Sequence, residues 1–494
     1  MSAPKKGAAT AGRAAASPRS GLESSRGPAI STETQKLPIV ERVCYGFGDL
    51  ASCLFWQTLT LYLLFFYTDV FGMSAVAAGI MIGVSRFLDA LFDVFIGMAA
   101  DRTKTRWGKF RPYILWGAMP LAVSAVLAFS TPSLGGTAKI VYAYVTFISF
   151  MLLYSTVNIP YTSLLGVISS DPIERTSASS FKFVGAYAGG IIVSATALPL
   201  TAYFGEQNAA KGWTLTLVTY GVAGVLLFLI TFAITRERIQ PIAKEKTPIK
   251  ADLKDIAKNV PWLVLFAATI LFILFVCIRM SVTTHYFKYF VGAQSVSIFG
   301  TQHRYGFETL ASAYNTLGQV LSLVGVMLVP WFAKRCGRKR ALVILLVVAL
   351  ICTGAFYFFK PHDLGLIFFF QALGSLTGGP ISALLWVLYA DTADYSEWKT
   401  GRRATGLVFS ASIMSNKIGW TVGSMIAGFI LATTGFAPNV AQNPEVLNGL
   451  KSMMSVIPMV AGALTLAILV LFYKLDEPLM AKVKTELDAR RNSG

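Results

Sequence analysis

The sequence predicts an all-α integral membrane protein with twelve transmembrane helices in two six-helix halves. Composition, the number of apolar runs and the placement of basic residues carry that prediction. Of the 494 residues, 54% are hydrophobic and 14% charged, against roughly 25% charged in an average soluble protein. A spanning helix needs ~20 mostly apolar residues. Twelve runs qualify, near 43–68, 75–99, 112–131, 139–166, 181–204, 213–235, 261–290, 307–332, 341–359, 363–390, 403–435 and 448–474. The fourth, seventh and eleventh are long enough to be broken.

The net charge of +18 is not that of a nucleic-acid binder, because it alternates along the chain. Lys5, Lys6, Arg13, Arg19 and Arg26 precede the first span, and Arg102 to Arg111 follow the second. Later clusters are Arg236 to Lys258, Lys334 to Arg340, Lys399 to Arg403 and Lys474 to Arg491, whereas loops 132–138 and 436–447 are poor in Lys and Arg. This is the positive-inside pattern, and it places both termini in the cytoplasm of a cell-membrane protein. Residues 1–36, rich in Ala, Ser, Gly and Pro, read as a disordered tail. No cleavable signal peptide is visible, so the first span is expected to direct insertion. Cys44, Cys53, Cys277, Cys336 and Cys352 show neither paired nor metal-like spacing and are expected as free thiols.

The stretch RERIQPIAKEKTPIKADLKDIAK (236–258) is charged, carries two prolines and divides the spans six and six. It separates 37–235 from 259–474, with 475–494 a cytoplasmic C-terminal segment. A weak repeat agrees: GMAADRTKTRWGKFR follows the second span and WFAKRCGRKR the eighth. Two six-helix halves around a central site is the major facilitator arrangement.

Within the second span, Asp89 and Asp93 stand four residues apart in an otherwise apolar run. Four residues of helix rise about 6 Å and return to the same face, so the carboxylates are neighbours. Ionisable groups at membrane depth mark an ion or substrate path. Two carboxylates this close resist full ionisation and either share a proton or hold a cation; the alternative is a structural ion pair, for instance with Arg86. Lys417 is a second such group, fourteen residues past Arg403, about 21 Å along a helix and too deep to snorkel easily.

Four stretches, YGFGDLAS (45–52) with FYTDVFG (66–72), RFLDALFDVFIG with RTKTRWGKFRP (86–112), YSTVNIPYTSL (154–164) and ADTADYSEWKTGRRATG (390–406), resemble the glycoside–pentoside–hexuronide:cation symporter family. That branch includes melibiose permease and the bacterial glucuronide transporter, and the resemblance runs from about Tyr45 to Lys474. It implies that Asp89 and Asp93 bind the coupling cation, that Lys417 is the family's helix-eleven lysine pairing with one of them, and that cation binding competes with this pair. In sodium-using relatives an Asn precedes the second aspartate and a Thr lies on helix four. Those positions resemble Phe92 and Ser155 here, and the lost amide tilts the expectation from Na+ to H+.

The resemblance also suggests Tyr154, Asn158 and Tyr161 as sugar contacts. Asn158 precedes a proline that interrupts the fourth span, and kink or packing roles are the plainer alternative. Melibiose permease has aspartates where Asn158 and Cys53 stand, so galactosyl recognition of that kind is not expected. Asp49, inside the GFGD motif, lines the cavity or caps a helix. Lys182 and Arg279 match positions where sugar relatives carry a basic residue; facing the cavity they suit an acidic sugar, and otherwise they pair with Asp49 or another carboxylate. Asp101, Arg102, Arg106, Asp391, Asp394, Glu397 and Arg402 are expected to form a cytoplasmic gate, in addition to signalling topology. His285 reads as a packing residue before a proton relay, His303 and His362 fall in external loops, and Trp386 suits a membrane interface as well as a sugar face.

No Walker A sequence, HExxH, GxSxG or paired CxxC occurs, so ATP-driven and hydrolytic classes lack support. The expectation is a non-enzymatic symporter without resident cofactor or metal, importing a sugar with H+ or Na+. Its partners are that sugar, the coupling cation and the lipid bilayer, and it works as a monomer. A lipid or lysolipid carrier predicts an apolar lateral cleft instead. A non-transporting membrane sensor predicts a large folded appendage.

Overall fold

The computed structural model describes residues 36–169, 171–238, 258–298, 301–401 and 405–492. The tail to residue 35, most of the linker (239–257) and Arg402 lie outside the described residues. The helices are α1 (Ile39–Phe65), α2 (Ala75–Arg102), α3 (Arg111–Ala128), α4 (Gly136–Leu164), α5 (Pro172–Gly205) and α6 (Ala209–Ile234). They continue as α7 (Val260–His285), α8 (Phe307–Cys336), α9 (Arg338–Ala355), α10 (Leu364–Thr400), α11 (Thr405–Thr433), α12 (Pro444–Met454), α13 (Val456–Phe472) and α14 (Glu477–Asn492). Both α1 and α7 end in a π-helical turn, Phe66–Val70 and Tyr286–Val291. A short antiparallel hairpin, β1 (Gln294–Ile298) and β2 (Thr301–Tyr305), follows α7 with Gln294 opposite Tyr305.

Local chemistry sets the helix starts. The Asp171 carboxylate accepts from Ile173 N at 2.8 Å, and Pro172 occupies the first turn of α5. Asn443 does the same for Val446 N (2.8 Å) ahead of Pro444, and Ser74 and Asn259 cap α2 and α7. These are short polar acceptors for orphan N–H groups, with proline where no donor is required.

Among the described residues, ten helical stretches are long and apolar enough to cross a membrane. Two of the twelve expected runs fall short. α9 has 18 residues and opens on Arg338, Lys339 and Arg340, and α11 carries Ser410, Ser412, Ser415, Asn416 and Lys417 through its first half. The last expected run divides at Ser455 into α12 and α13. α4 is not interrupted at Pro160 but runs on to Leu164. One missing ladder bond is a small loss there, and the Tyr161 hydroxyl, donating to Tyr45 O at 2.7 Å, ties the following turn to α1.

α1 packs on α5 and α6, and α3 on α4 and α6; across the two groups α2 meets α11, α5 meets α8 and α1 meets α7. Apolar packing is continuous at one end only. One core threads α1–α6 and continues through Tyr286, Phe287, Leu310, Leu431 and Met454 into the ends of the later helices that lie away from α14, called outer in this geometric sense alone. A second core, with Trp262, Leu265, Leu342, Leu388 and Tyr473, belongs to α7–α14 alone, at the end that carries α14. The helical groups are therefore fused at the outer end and part toward the terminus-bearing end.

The segment after 474 is a docked amphipathic helix. Met480, Val483 and Leu487 of α14 are buried in the second core, and Trp398 Nε1 donates to Glu486 Oε2 at 2.6 Å. Arg338 bridges Asp391 (2.6 Å) and Glu477 (3.2 Å). Hydrogen bonding from Arg338 holds the Glu477 carboxyl below its ordinary value.

Candidate substrate and ion site

Between the two helical groups lies a cavity of about 470 Å³, lined from α1 by Trp56, from α2 by Arg86, Asp89 and Asp93, from α4 by Tyr154, Ser155 and Asn158, and from α11 by Asn416, Lys417 and Trp420, among others. The i, i+4 spacing does place both carboxylates on the same wall. Lys417 Nζ lies 3.0 Å from Asp89 Oδ2 and also donates to Asp93 Oδ2, while Ser155 Oγ donates to Asp89 Oδ1 at 2.5 Å. One ammonium from α11 thus ties down two carboxylates from α2.

Arg86 does not pair with the aspartates. Its guanidinium is stacked between the Trp56 and Trp420 rings, 5.4 Å from each centroid, and its Nε and Nη1 are buried without a hydrogen-bond partner. Such a cation is held by ring quadrupoles, which are strongest where water is excluded. The four charges of the cavity wall, Asp89, Asp93, Lys417 and Arg86, sum to zero. Beside them Trp56 stacks on Tyr154 (5.4 Å, 26°), and Asn158 Nδ2 donates to Ser52 Oγ at 3.1 Å and to Tyr154 Oη at 3.4 Å. The wall therefore offers aromatic faces, a carboxamide and hydroxyls, groups that match the apolar faces and directed hydroxyls of a pyranose ring.

The other residues singled out from sequence are scattered. Tyr161 is fully buried behind the wall, stacked on Tyr45 at 5.0 Å. Asp49 does not line the cavity; Lys182 reaches Thr162 Oγ1 (3.4 Å), a residue of the cavity edge. Arg279 lies in a different cavity, among α7–α10. On the terminus-bearing side Asp101 pairs with Lys109 at 3.7 Å, Arg106 stacks on Trp107 and Asp391 binds Arg338, each within its own helical group. Arg102 is exposed there, Asp394 and Glu397 sit in the last turns of α10, and Arg402 is outside the described residues.

Sequence reasoning missed a second polar cluster at the outer end. Asp69, in the π turn of α1, receives Lys288 Nζ at 2.8 Å and the Tyr289 hydroxyl, both from the π turn of α7. His285 Nε2 lies 3.3 Å from Asp69 Oδ2 and 2.9 Å from Thr68 Oγ1, fully buried. Asn439 closes the cluster by accepting from Lys288 (2.6 Å) and donating to Asp69 O (2.8 Å). The available signal was the lone aspartate in FYTDVFG; apart from Thr68 beside it, which donates to Asp69 Oδ2 at 2.8 Å, its side-chain partners lie more than 210 residues away.

Comparison with known proteins matches a family described as MFS/sugar transport protein over residues 44–477. The chain belongs to that family. It is a sugar transporter of the major facilitator superfamily, a multi-pass membrane protein and not an enzyme. The transporter is 37% identical over 474 residues to an isoprimeverose transporter of Lactiplantibacillus pentosus, covering 94% of this chain and 95% of that protein. It is 33% identical over 457 residues to the inner membrane symporter YicJ of Escherichia coli (strain K12), covering 92% and 96%. Its fold is similar to that of a bacterial homologue of the human lysosomal transporter Spinster, with a TM-score of 0.60 at 17% identity over 90% of this chain and 97% of the other. The resemblance drawn from the four sequence stretches is thereby upheld.

Proposed function

We propose that the transporter imports a glycoside, pentoside or hexuronide into the cytosol in symport with a cation, by alternating access, with both termini cytoplasmic. The observation that carries this reading is Lys417 bound to Asp89 and Asp93 together. A cation arriving at the carboxylates displaces the ammonium, so occupancy is coupled to the α2–α11 contact. Sugar then settles against Trp56, Tyr154, Asn158 and Trp420, and the helical groups rock as two halves. Coupling is reciprocal, so sugar also tightens cation binding.

H+ is favoured over Na+. The oxygens converging on the site come from Asp89, Asp93 and Ser155, with Phe92 on α2 contributing none, whereas hard metal cations collect more oxygen ligands. In this reading, opening of the outer cluster around Asp69 is accompanied by pairing of Asp101, Arg102 and Arg106 with Asp391, Asp394, Glu397 and Arg402, which shuts the cytoplasmic side.

An apolar groove of about 410 Å³ between α3 and α6, lined by Met119, Val126, Leu226 and similar residues, is the feature a lipid carrier would offer. It shares no residue with the charged cavity, so the sugar reading is preferred. Uptake of labelled glycosides into proteoliposomes, under separately imposed proton and sodium gradients, tests it. Proton-driven accumulation is expected; accumulation driven by sodium alone removes the proton assignment, and none under either gradient removes the symport reading.

A further inference from the structure

Besides the charged cavity, α7, α8, α9 and α10 enclose a second one of about 170 Å³, which Leu61 of α1 borders on the side of the N-terminal helices. Arg279 lines it. Its Nη1 donates to Thr353 Oγ1 at 2.9 Å and its Nη2 to Tyr314 Oη at 3.1 Å, and the guanidinium lies over the Phe356 ring at 4.9 Å. These partners fix the fork without neutralising it. Lys417, Lys288, Arg42, Arg238 and Arg338 each hold a carboxylate within 4 Å, and Arg86 shares its cavity with two. Among the described residues Arg279 has none in reach, and an uncompensated charge in a helix core is costly.

Around this cation the lining is neutral and polar: Asn315 and Gln319 from α8, Gln371 and Ser375 from α10. The Asn315 Nδ2 is buried there without a hydrogen-bond partner. A guanidinium fork recognises a carboxylate bidentately, and carboxamides suit hydroxyl groups. A spherical inorganic anion needs the charge but not the amides.

The two cavities flank the same stretch of α1. Trp56 lines the first and Leu61 the second, about 7.5 Å apart along α1. Cys277 of α7 is bonded to the Trp420 carbonyl at 3.5 Å, two residues before Arg279.

We infer that the cavity at Arg279 is a second sub-site in the C-terminal helices, which binds the carboxylate-bearing end of an acidic glycoside while the neutral ring sits at Tyr154 and Asn158. This rests on the sugar reading above and specifies which sugars are preferred.

The test is binding to the purified full-length protein in nanodiscs, by calorimetry, of a neutral disaccharide and of the same disaccharide oxidised to the uronate on one ring. Wild type should bind the uronate at least tenfold more tightly. Arg279→Gln should remove that preference while neutral-sugar affinity stays within threefold, and Arg279→Lys should keep part of it. Gln371→Ala, which leaves the cation in place, should weaken the uronate several-fold and serves if Arg279→Gln does not fold. Equal loss for both sugars in the variants, no preference in wild type, or tight chloride binding that the uronate does not displace would overturn the sub-site. If the neutral sugar binds and the carboxylate adds nothing, the transport reading stands and this one falls; if neither sugar binds, both fall.

Discussion

Asp69 and Lys288 meet at 2.8 Å across 219 residues of sequence, each from the π-helical turn that ends its helix. α1 opens the first set of helices and α7 the second, so equivalent ends of equivalent helices supply opposite charges. Single π turns recur at functional sites, and here the wider turns bring both charges to the junction. With Asp69 buried and His285, Tyr289 and Asn439 packed on it, the pair acts as a latch on the outer end.

Asp69→Ala leaves Lys288 and His285 facing an empty position at that latch. Losing one member of a buried pair costs about 3–5 kcal/mol, enough to move a two-state equilibrium by roughly 100-fold to several thousand-fold. Spin labels placed across the outer rim should report longer distances in the variant, and uptake should fall at least tenfold with sugar affinity preserved. An unchanged distance distribution would show that the cluster does not hold the rim shut.

Asp93→Asn tests coupling. The neutral amide keeps the shape but cannot exchange a proton, so gradient-driven accumulation should stop at the equilibrium level while sugar exchange continues. Lys417→Ala should be more damaging, since it leaves two carboxylates facing each other without a counter-charge. Combining Lys417→Ala with Asp93→Asn removes one of those charges and should recover expression and thermal stability relative to Lys417→Ala alone. If the double variant is no better folded, the triad is not an electrostatic unit.

What the chain announces in advance follows from distance along it. Asp89 and Asp93 are legible because four residues on a helix fix their relation, and Lys417 because no apolar span carries a lysine without cause. The partner of Lys417 was predictable only as one of two carboxylates, and the structure uses both. Tyr154 and Tyr161 show the opposite limit. Seven residues apart in one motif, they are nearly two helical turns apart, yet one lines the cavity and the other is buried behind it. Both rings face α1, Tyr154 on Trp56 and Tyr161 on Tyr45, and how far along α1 the packing closes is a tertiary fact that residue type does not encode. Asp69 remained silent because its meaning depends on Lys288, and nothing local links the two.

Trp420→Ala removes one of the two rings that sandwich Arg86 and opens the α11 side of the cavity. An aromatic contact is worth about 0.5–1.5 kcal/mol beyond area burial. Sugar affinity should therefore fall roughly 3- to 10-fold. Trp420→Phe should restore most of it, because a ring face remains. Titration of intrinsic fluorescence or calorimetry measures this; equal affinity in all three proteins would exclude Trp420 from the sugar site.

Gly428 and Gly79 let α11 and α2 approach at their outer ends. A Cβ at Gly428 meets Ala75 O at 2.6 Å and Gly79 Cα at 3.0 Å, both backbone atoms that cannot rotate away. Gly97, on the same α2 but toward its other end, has nothing within 4 Å of such a Cβ. Gly428→Leu should thus wedge the outer ends apart and reproduce the opened rim of Asp69→Ala without touching any charge. Gly97→Ala should keep full uptake and raise stability by about 0.5–1 kcal/mol, since alanine restricts the unfolded chain and favours helix. Rim distances and thermal unfolding of the two variants separate the effects. A Gly428→Leu protein whose rim stays closed would mean that the α2–α11 contact can shift without opening the molecule, and that the outer latch alone governs access.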